Sequence, residues 1–141
     1  MKPLIAVLSL VALPLTLHAE TAVEVQVNNI GSAEGQIVVT FFNSDESWLQ
    51  EPYLVETVDA ADAIDGSLMI PLTLEAGEYA ISAYHDLDGN GRMKTNFIGI
   101  PREPIGTSND AKGRFGPPKY KDAKFQIGEE ATTIPINLVD I

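Results

Sequence analysis

One heptapeptide holds most of the chemistry this chain could do: His85-Asp86-Leu87-Asp88-Gly89-Asn90-Gly91. Oxygen-bearing side chains at relative positions 1, 3 and 5 (Asp86, Asp88, Asn90), with Gly91 at position 6, are how a calcium loop gathers hard ligands around one ion. The full loop adds a bidentate Glu at position 12, and that position is Phe97 here. No helix is expected after it either. A loop borne on a strand would have to recruit a distant carboxylate, such as Glu103, or carbonyl oxygens. With two or three carboxylates and an exposed site, affinity would be weak, on the order of 10⁻⁴ to 10⁻³ M. Ordinary turn chemistry accounts for the same residues: Asx side chains bond their own backbone and the glycines take positive φ. Calcium is the one cofactor the pattern admits, with Asp86, Asp88 and Asn90 as its ligands.

The remaining catalytic possibilities are thin. His18 and His85 are the only histidines and there is no cysteine, so a zinc site is not expected. His85 ends an apolar stretch in register with Ile81 and Ala83, which suits a hydrogen-bonded packing residue. No serine has a motif that pairs it with this histidine. With twenty acidic residues, any carboxylate pair chosen for glycoside chemistry would be arbitrary. There is no glycine loop before a helix to cradle a phosphate.

Charge is the second signal. Every Lys and Arg beyond Lys2 lies between positions 92 and 124: Arg92, Lys94, Arg102, Lys112, Arg114, Lys119, Lys121 and Lys124. Only Glu103, Asp110 and Asp122 oppose them there, whereas residues 20–91 hold acids and no Lys or Arg. The cationic stretch either docks on the acidic body of its own domain or meets an anionic partner. That partner would be an envelope glycan, a lipid head group or an acidic protein face. Nucleic acid is not expected for a chain this acidic. The residues that would form such a ligand face are His85, Arg92, Lys94, Asn96, Arg102, Glu103, Ser108, Asn109 and Arg114.

The elements that must hold these residues read as β-structure. Val23, Val25 and Val27 alternate with polar residues, as in a half-buried strand. Residues 36–42 are apolar on both faces, as in the central strand of a sandwich. A single helical turn is expected near Asn43–Leu49, ended by Pro52, and a short strand over 53–58. Residues 67–74 and 79–85 are further strands, with Pro71 placing the former at an edge or a bulge. The chain closes with strands over 122–127 and 131–139. Between Asp86 and Lys121 no period is evident, in a stretch with six glycines and four prolines. A connection that long is functional, internally packed or disordered. The spacing of Phe97, Ile98, Ile100, Ile105 and Phe115 favours packing. The fold class expected is all-β: an antiparallel immunoglobulin-like or prealbumin-like sandwich of about seven strands with one long ordered loop.

The first residues have a different character. Met1-Lys2-Pro3, an apolar run from Leu4 to Leu17 and His18-Ala19-Glu20 have the layout of a secretory signal. The apolar run contains Pro14 and falls short of the roughly 20 residues that cross a bilayer. The expectation is a cleavable signal over 1–19 and one β-sandwich domain over 20–141, periplasmic or secreted, with no transmembrane anchor after signal removal. Loss of Lys2 takes the formal charge from −11 to −12. Without cysteine, stability in an oxidising compartment rests on the core alone.

The combination Gly77-Glu78-Tyr79-Ala80-Ile81, His85-Asp86, Asp88-Gly89-Asn90-Gly91, Thr95-Asn96-Phe97-Ile98-Gly99-Ile100-Pro101, Glu103-Pro104, Gly106, Ser108-Asn109, Phe115-Gly116-Pro117-Pro118 and Asp122-Ala123 resembles the bacterial domain-of-unknown-function family 2141. The resemblance implies a signal peptide, a single small domain and an immunoglobulin-like or prealbumin-like β fold, with no assigned activity. An ordered loop of this kind is expected to bury Phe97, Ile100 and Phe115. Asn96, Glu103, Ser108 and Asn109 would then cluster near Asp86 and Asp88. The functional reading is an exported, non-enzymatic binding or accessory domain of the cell envelope that works through the 85–118 loop. Two alternatives stand beside it: a weakly calcium-stabilised structural module, and a hydrolase-like enzyme using His85 with Asp86.

Overall fold

The structure is a computed structural model that describes residues 2–4, 9–14, 19–93, 95 and 102–140. Its strands are β1 (Glu20–Asn28), β2 (Gln36–Phe42), β3 (Leu54–Asp59), β4 (Leu68–Glu75), β5 (Gly77–Asp86), β6 (Ile105–Thr107), β7 (Phe125–Ile127) and β8 (Thr132–Asn137). The only α-helix among the described residues is one turn, α1 (Tyr120–Ala123). Residues 43–51 form hydrogen-bonded turns in place of the expected helical turn, with Gln50 and Glu51 N–H groups both donating to the Ser47 carbonyl.

Two sheets face each other. One has the order β4-β1-β8; the other runs β3-β2-β5, with β6 and β7 sharing the far edge of β5. The expected sandwich is present, with one departure from its antiparallel character: β1 and β8, the first and last strands, pair in parallel. Pro71 falls on β4, an edge strand, where its missing N–H deprives no inner ladder.

The alternation read from the sequence decides which side chains meet between the sheets. Val23, Val25 and Val27 of β1, Ile70 and Leu74 of β4 and Ile134 and Ile136 of β8 face Ile37, Val39 and Phe41 of β2 and Tyr79, Ile81 and Ala83 of β5. Each such side chain contributes roughly 1.5–3 kcal/mol on burial. β2 is apolar on both faces because its outer face is covered as well. There Phe42 lies opposite Ala80 of β5, and Trp48, Tyr120 and Ala123 pack over the pair. Trp48 meets Phe42 edge-on at 5.0 Å and Tyr120 at 5.9 Å.

The long excursion is therefore ordered at both of its attachments among the described residues. Ile105, Gly106 and Thr107, read as loop, extend the sheet as β6. Ile105 and Val139 exchange backbone hydrogen bonds, which stitches the two sheets together at one margin. Residues expected to open a strand at 122 instead complete α1, and β7 starts at Phe125. The buried Ser108 hydroxyl accepts the Ile81 N–H at 2.9 Å and donates to the Ala123 carbonyl at 2.6 Å, so it ties the excursion to β5 and α1. Phe115 contradicts the expectation of burial, being 103% exposed. Tyr120 and Ala123 provide the anchoring it was expected to provide. Phe97, Ile98 and Ile100 lie outside the described residues.

Ser108→Ala leaves a buried N–H and a buried carbonyl without a partner, each costing ~1–3 kcal/mol. The variant is expected to lose about 2–4 kcal/mol of stability, read as a lower urea midpoint with an unchanged denaturant slope.

Candidate metal centre

Strand register builds this site. Gln36 of β2 pairs with Asp86, the last residue of β5. On the other side, β6 pairs Ile105 with Tyr84, and the His85 N–H donates to the Pro104 carbonyl at 2.9 Å. The same antiparallel progression brings Glu103 alongside Asp86, and its Oε2 accepts the Leu87 N–H at 2.7 Å. Asp88 then turns back over the end of the strand.

Asp86, Asp88 and Glu103 each offer a carboxylate oxygen, and these oxygens lie within 4.8 Å of one another. Asp86 and Glu103 are buried, and Asp88 is exposed. Asp86 Oδ2 accepts the Gln36 amide at 2.9 Å and the Gly91 N–H at 2.7 Å. Asp86 Oδ1 is buried and has no hydrogen-bond partner among the described residues. Burial pushes the Asp86 carboxyl up, but the Gln36 and Gly91 hydrogen bonds lead the causes that outweigh it and hold it below its ordinary value. Burial, followed by the charges of Asp86, Glu103 and Asp88, pushes the Tyr84 phenol up. Like charges this close repel by ~1 kcal/mol in water and severalfold more near a protein surface. A hard cation converts that repulsion into attraction.

The turn itself is held by Asx chemistry. The Asn90 N–H donates to Asp88 Oδ1 and the Asn90 amide to Asp88 Oδ2, both at 3.2 Å, while Asn90 Oδ1 accepts the Arg92 N–H at 2.8 Å. Gly89 and Gly91 take φ of +67° and +75°. Asn90 thus shapes the turn, and Glu103 supplies the third carboxylate. Glu103 was foreseen only as a recruit of unknown position. Its signal was its place two residues ahead of β6, a strand too short to be seen in the pattern.

The other sequence-selected residues do not form one face. His85 is 1% exposed, and its Nε2–H donates to the Glu34 carbonyl at 2.6 Å. Its ring is held as a packing residue and has no access to a ligand, and a hydrolase using His85 with Asp86 loses its geometric basis. Ser108 is fastened within the fold, as described above. Exposed Asn109 donates to the Asp122 and Lys124 carbonyls, so it closes the loop and lies away from Asp86. Exposed Arg102 lines an open cleft of about 240 Å³ with Leu87, Asp88 and Glu103. Arg92 is exposed on the turn, and Arg114 is exposed on a separate protrusion. Lys94 and Asn96 lie outside the described residues. Self-docking of the cationic stretch is represented, among the described residues, by one ion pair, Lys124–Glu78 at 3.0 Å.

Residues 25–135 match a family model described as an uncharacterized protein conserved in bacteria (DUF2141). No curated protein and no solved structure matches the chain.

The site leans on Gly35, whose φ is +71° and whose missing Cβ would sit 2.0 Å from the Asp86 carbonyl oxygen. Gly35→Ala is expected to cost at least about 2 kcal/mol through left-handed backbone strain and that clash. Gly31→Ala, which meets open space, is expected to be near neutral in the same denaturation measurement.

Proposed function

The chain belongs to the uncharacterised bacterial family DUF2141, and we propose that it is an exported β-sandwich module that binds one calcium ion through Asp86, Asp88 and Glu103. The observation that carries this reading is the buried Asp86 Oδ1, without a hydrogen-bond partner among the described residues, in a cluster of three carboxylates whose oxygens lie within 4.8 Å of one another. A buried carboxylate oxygen is costly to leave unmatched, and a hard cation matches it. Calcium suits the donors because it takes six to eight oxygens at 2.3–2.6 Å in flexible geometry. Three carboxylates, one or more of them bidentate, leave positions for carbonyl oxygens and water. Magnesium demands stricter octahedral geometry and gives up its own water reluctantly. With no histidine or cysteine ligand in the cluster, zinc and copper are poor fits.

The ion would act as a clamp. Asp86 belongs to β5, Asp88 to the turn, and Glu103 to the segment that leads into β6. Holding the three together fixes where the excursion leaves the sheet and where it returns. Weak affinity is consistent with export, since modules outside the cytosol meet calcium at millimolar levels. The leader read over residues 1–19 fits the same setting, and β1 begins at Glu20, the first residue after the expected cleavage.

Calcium at 5 mM is expected to stabilise the protein by about 1–2 kcal/mol for a dissociation constant near 10⁻⁴ to 10⁻³ M. That is a rise of several degrees in a calorimetric midpoint, reversed by chelator. Asp88→Asn is expected to abolish the shift while leaving the metal-free midpoint unchanged or higher, because it removes repulsion at an exposed position. An unshifted wild-type midpoint would defeat the reading. For export, intact mass of the protein recovered from the periplasm of a Gram-negative host is expected to correspond to a chain starting at Glu20. A full-length mass there would contradict the leader.

A further inference from the structure

The protrusion at residues 112–119 is unlike the rest of the surface. It reads Lys112-Gly113-Arg114-Phe115-Gly116-Pro117-Pro118-Lys119, and no acid occurs from 111 to 121. Lys112, Arg114, Lys119 and Lys121 are exposed, and none forms an ion pair among the described residues. Lys124, just beyond, is already matched by Glu78. At the tip, Phe115 shows its whole ring to solvent at 103% exposure. An exposed single Leu or Val needs no explanation. A fully exposed Phe among four unmatched cations, on an otherwise acidic protein, combines two features that each favour another surface.

The protrusion is also firmly mounted. On its leading side, Ser108 and Asn109 bind the backbone of Ile81, Asp122, Ala123 and Lys124. On its trailing side, the Pro118 carbonyl accepts the Trp48 Nε1–H at 2.8 Å, and Tyr120 is buried against Trp48. The loop closes tightly: a Cβ at Gly113 would lie 1.8 Å from the Gly116 carbonyl oxygen. Gly113 therefore lets the two limbs approach, and Phe115 is held out at the turn.

We propose that the 112–119 protrusion docks the protein on an anionic lipid surface, with Phe115 inserted at the head-group boundary and Lys112, Arg114, Lys119 and Lys121 against the phosphates. One apolar insertion or one basic cluster alone gives marginal membrane binding, whereas the two together give reversible attachment. The acidic body does not cancel this, because charges more than about 8–10 Å away are largely screened at physiological ionic strength. The docking element stands apart from the carboxylate cluster, so it does not rest on calcium.

The test is sedimentation of the full-length mature protein with vesicles of phosphatidylglycerol and phosphatidylcholine in equal parts, against pure phosphatidylcholine. Chelator is present throughout, so that calcium bridging plays no part. Binding to the anionic vesicles is expected at 50 mM salt, weakening at least fivefold by 300 mM, with little binding to the neutral ones. Phe115→Ser and the double variant Lys112→Gln/Arg114→Gln are each expected to weaken it about tenfold or more, with unchanged melting midpoints. Absence of wild-type binding at low salt, or equal binding by Phe115→Ser, would overturn the proposal. So would concentration-dependent self-association that Phe115→Ser abolishes while vesicles remain unbound. That result would assign the protrusion to a second copy of the chain.

Discussion

A carboxylate taken out of water at the end of a strand is the constraint around which this molecule is arranged. Asp86 closes β5, and strand pairing surrounds it with Gln36 on one side and Glu103 on the other. One of its oxygens is satisfied by an amide and a backbone N–H, and the other has no partner among the described residues. The Asp88–Gly91 turn closes on the carboxylate through the Gly91 N–H, and the approach to β6 brings Glu103 into the same cluster. Removing the charge would relieve repulsion but would also remove what the turn wraps around. Such a group marks a site more reliably than the surrounding acids, which the chain carries everywhere.

The same sheet handles its two faces differently. The face toward β1, β4 and β8 is buried mostly by aliphatic side chains, with Phe41 and Tyr79 among them. The outer face is covered by a smaller aromatic layer, in which Phe42 of β2 and Trp48 of the turns after it are joined by Tyr120 from the end of the excursion. The excursion thus has three separate tasks along its length. It supplies a carboxylate at Glu103, widens the sheet through β6, and leads into α1, which caps the outer face. Its cations at 112–121 take no part in these tasks.

Much of the framework was legible because burial on one face writes alternation into a strand. Val23, Val25 and Val27, and Leu68, Ile70 and Leu74, could hardly be read otherwise. Residues 36–42 betrayed a strand covered on both sides, although not what covered it. β6 was invisible because three residues with a central glycine carry no period. The parallel pairing of β1 with β8 left no trace either, since alternation fixes a face and not a neighbour. At the site, the oxygen spacing of Asp86 and Asp88 was readable, and Glu103 was a reasonable recruit. Its position depended on a register that only the folded sheet defines. Phe115 was misjudged because an aromatic residue in a loop looks the same in sequence whether it plugs a core or leaves it. Ser108 was misjudged in the opposite sense, since a serine among glycines and asparagines resembles surface.

The union of β1 and β8 has a consequence for how the chain comes to be folded. β1 leaves a ribosome long before β8, with six strands made between them, yet each is the other's neighbour across six paired positions. β4 can zip onto β1 partway through synthesis, but that sheet stays one strand short until residue 137 has emerged. Contacts so distant along the chain form slowly. The sheet that β1 founds is therefore completed only after every intervening strand has been made, so its closure is a late event in the life of the chain.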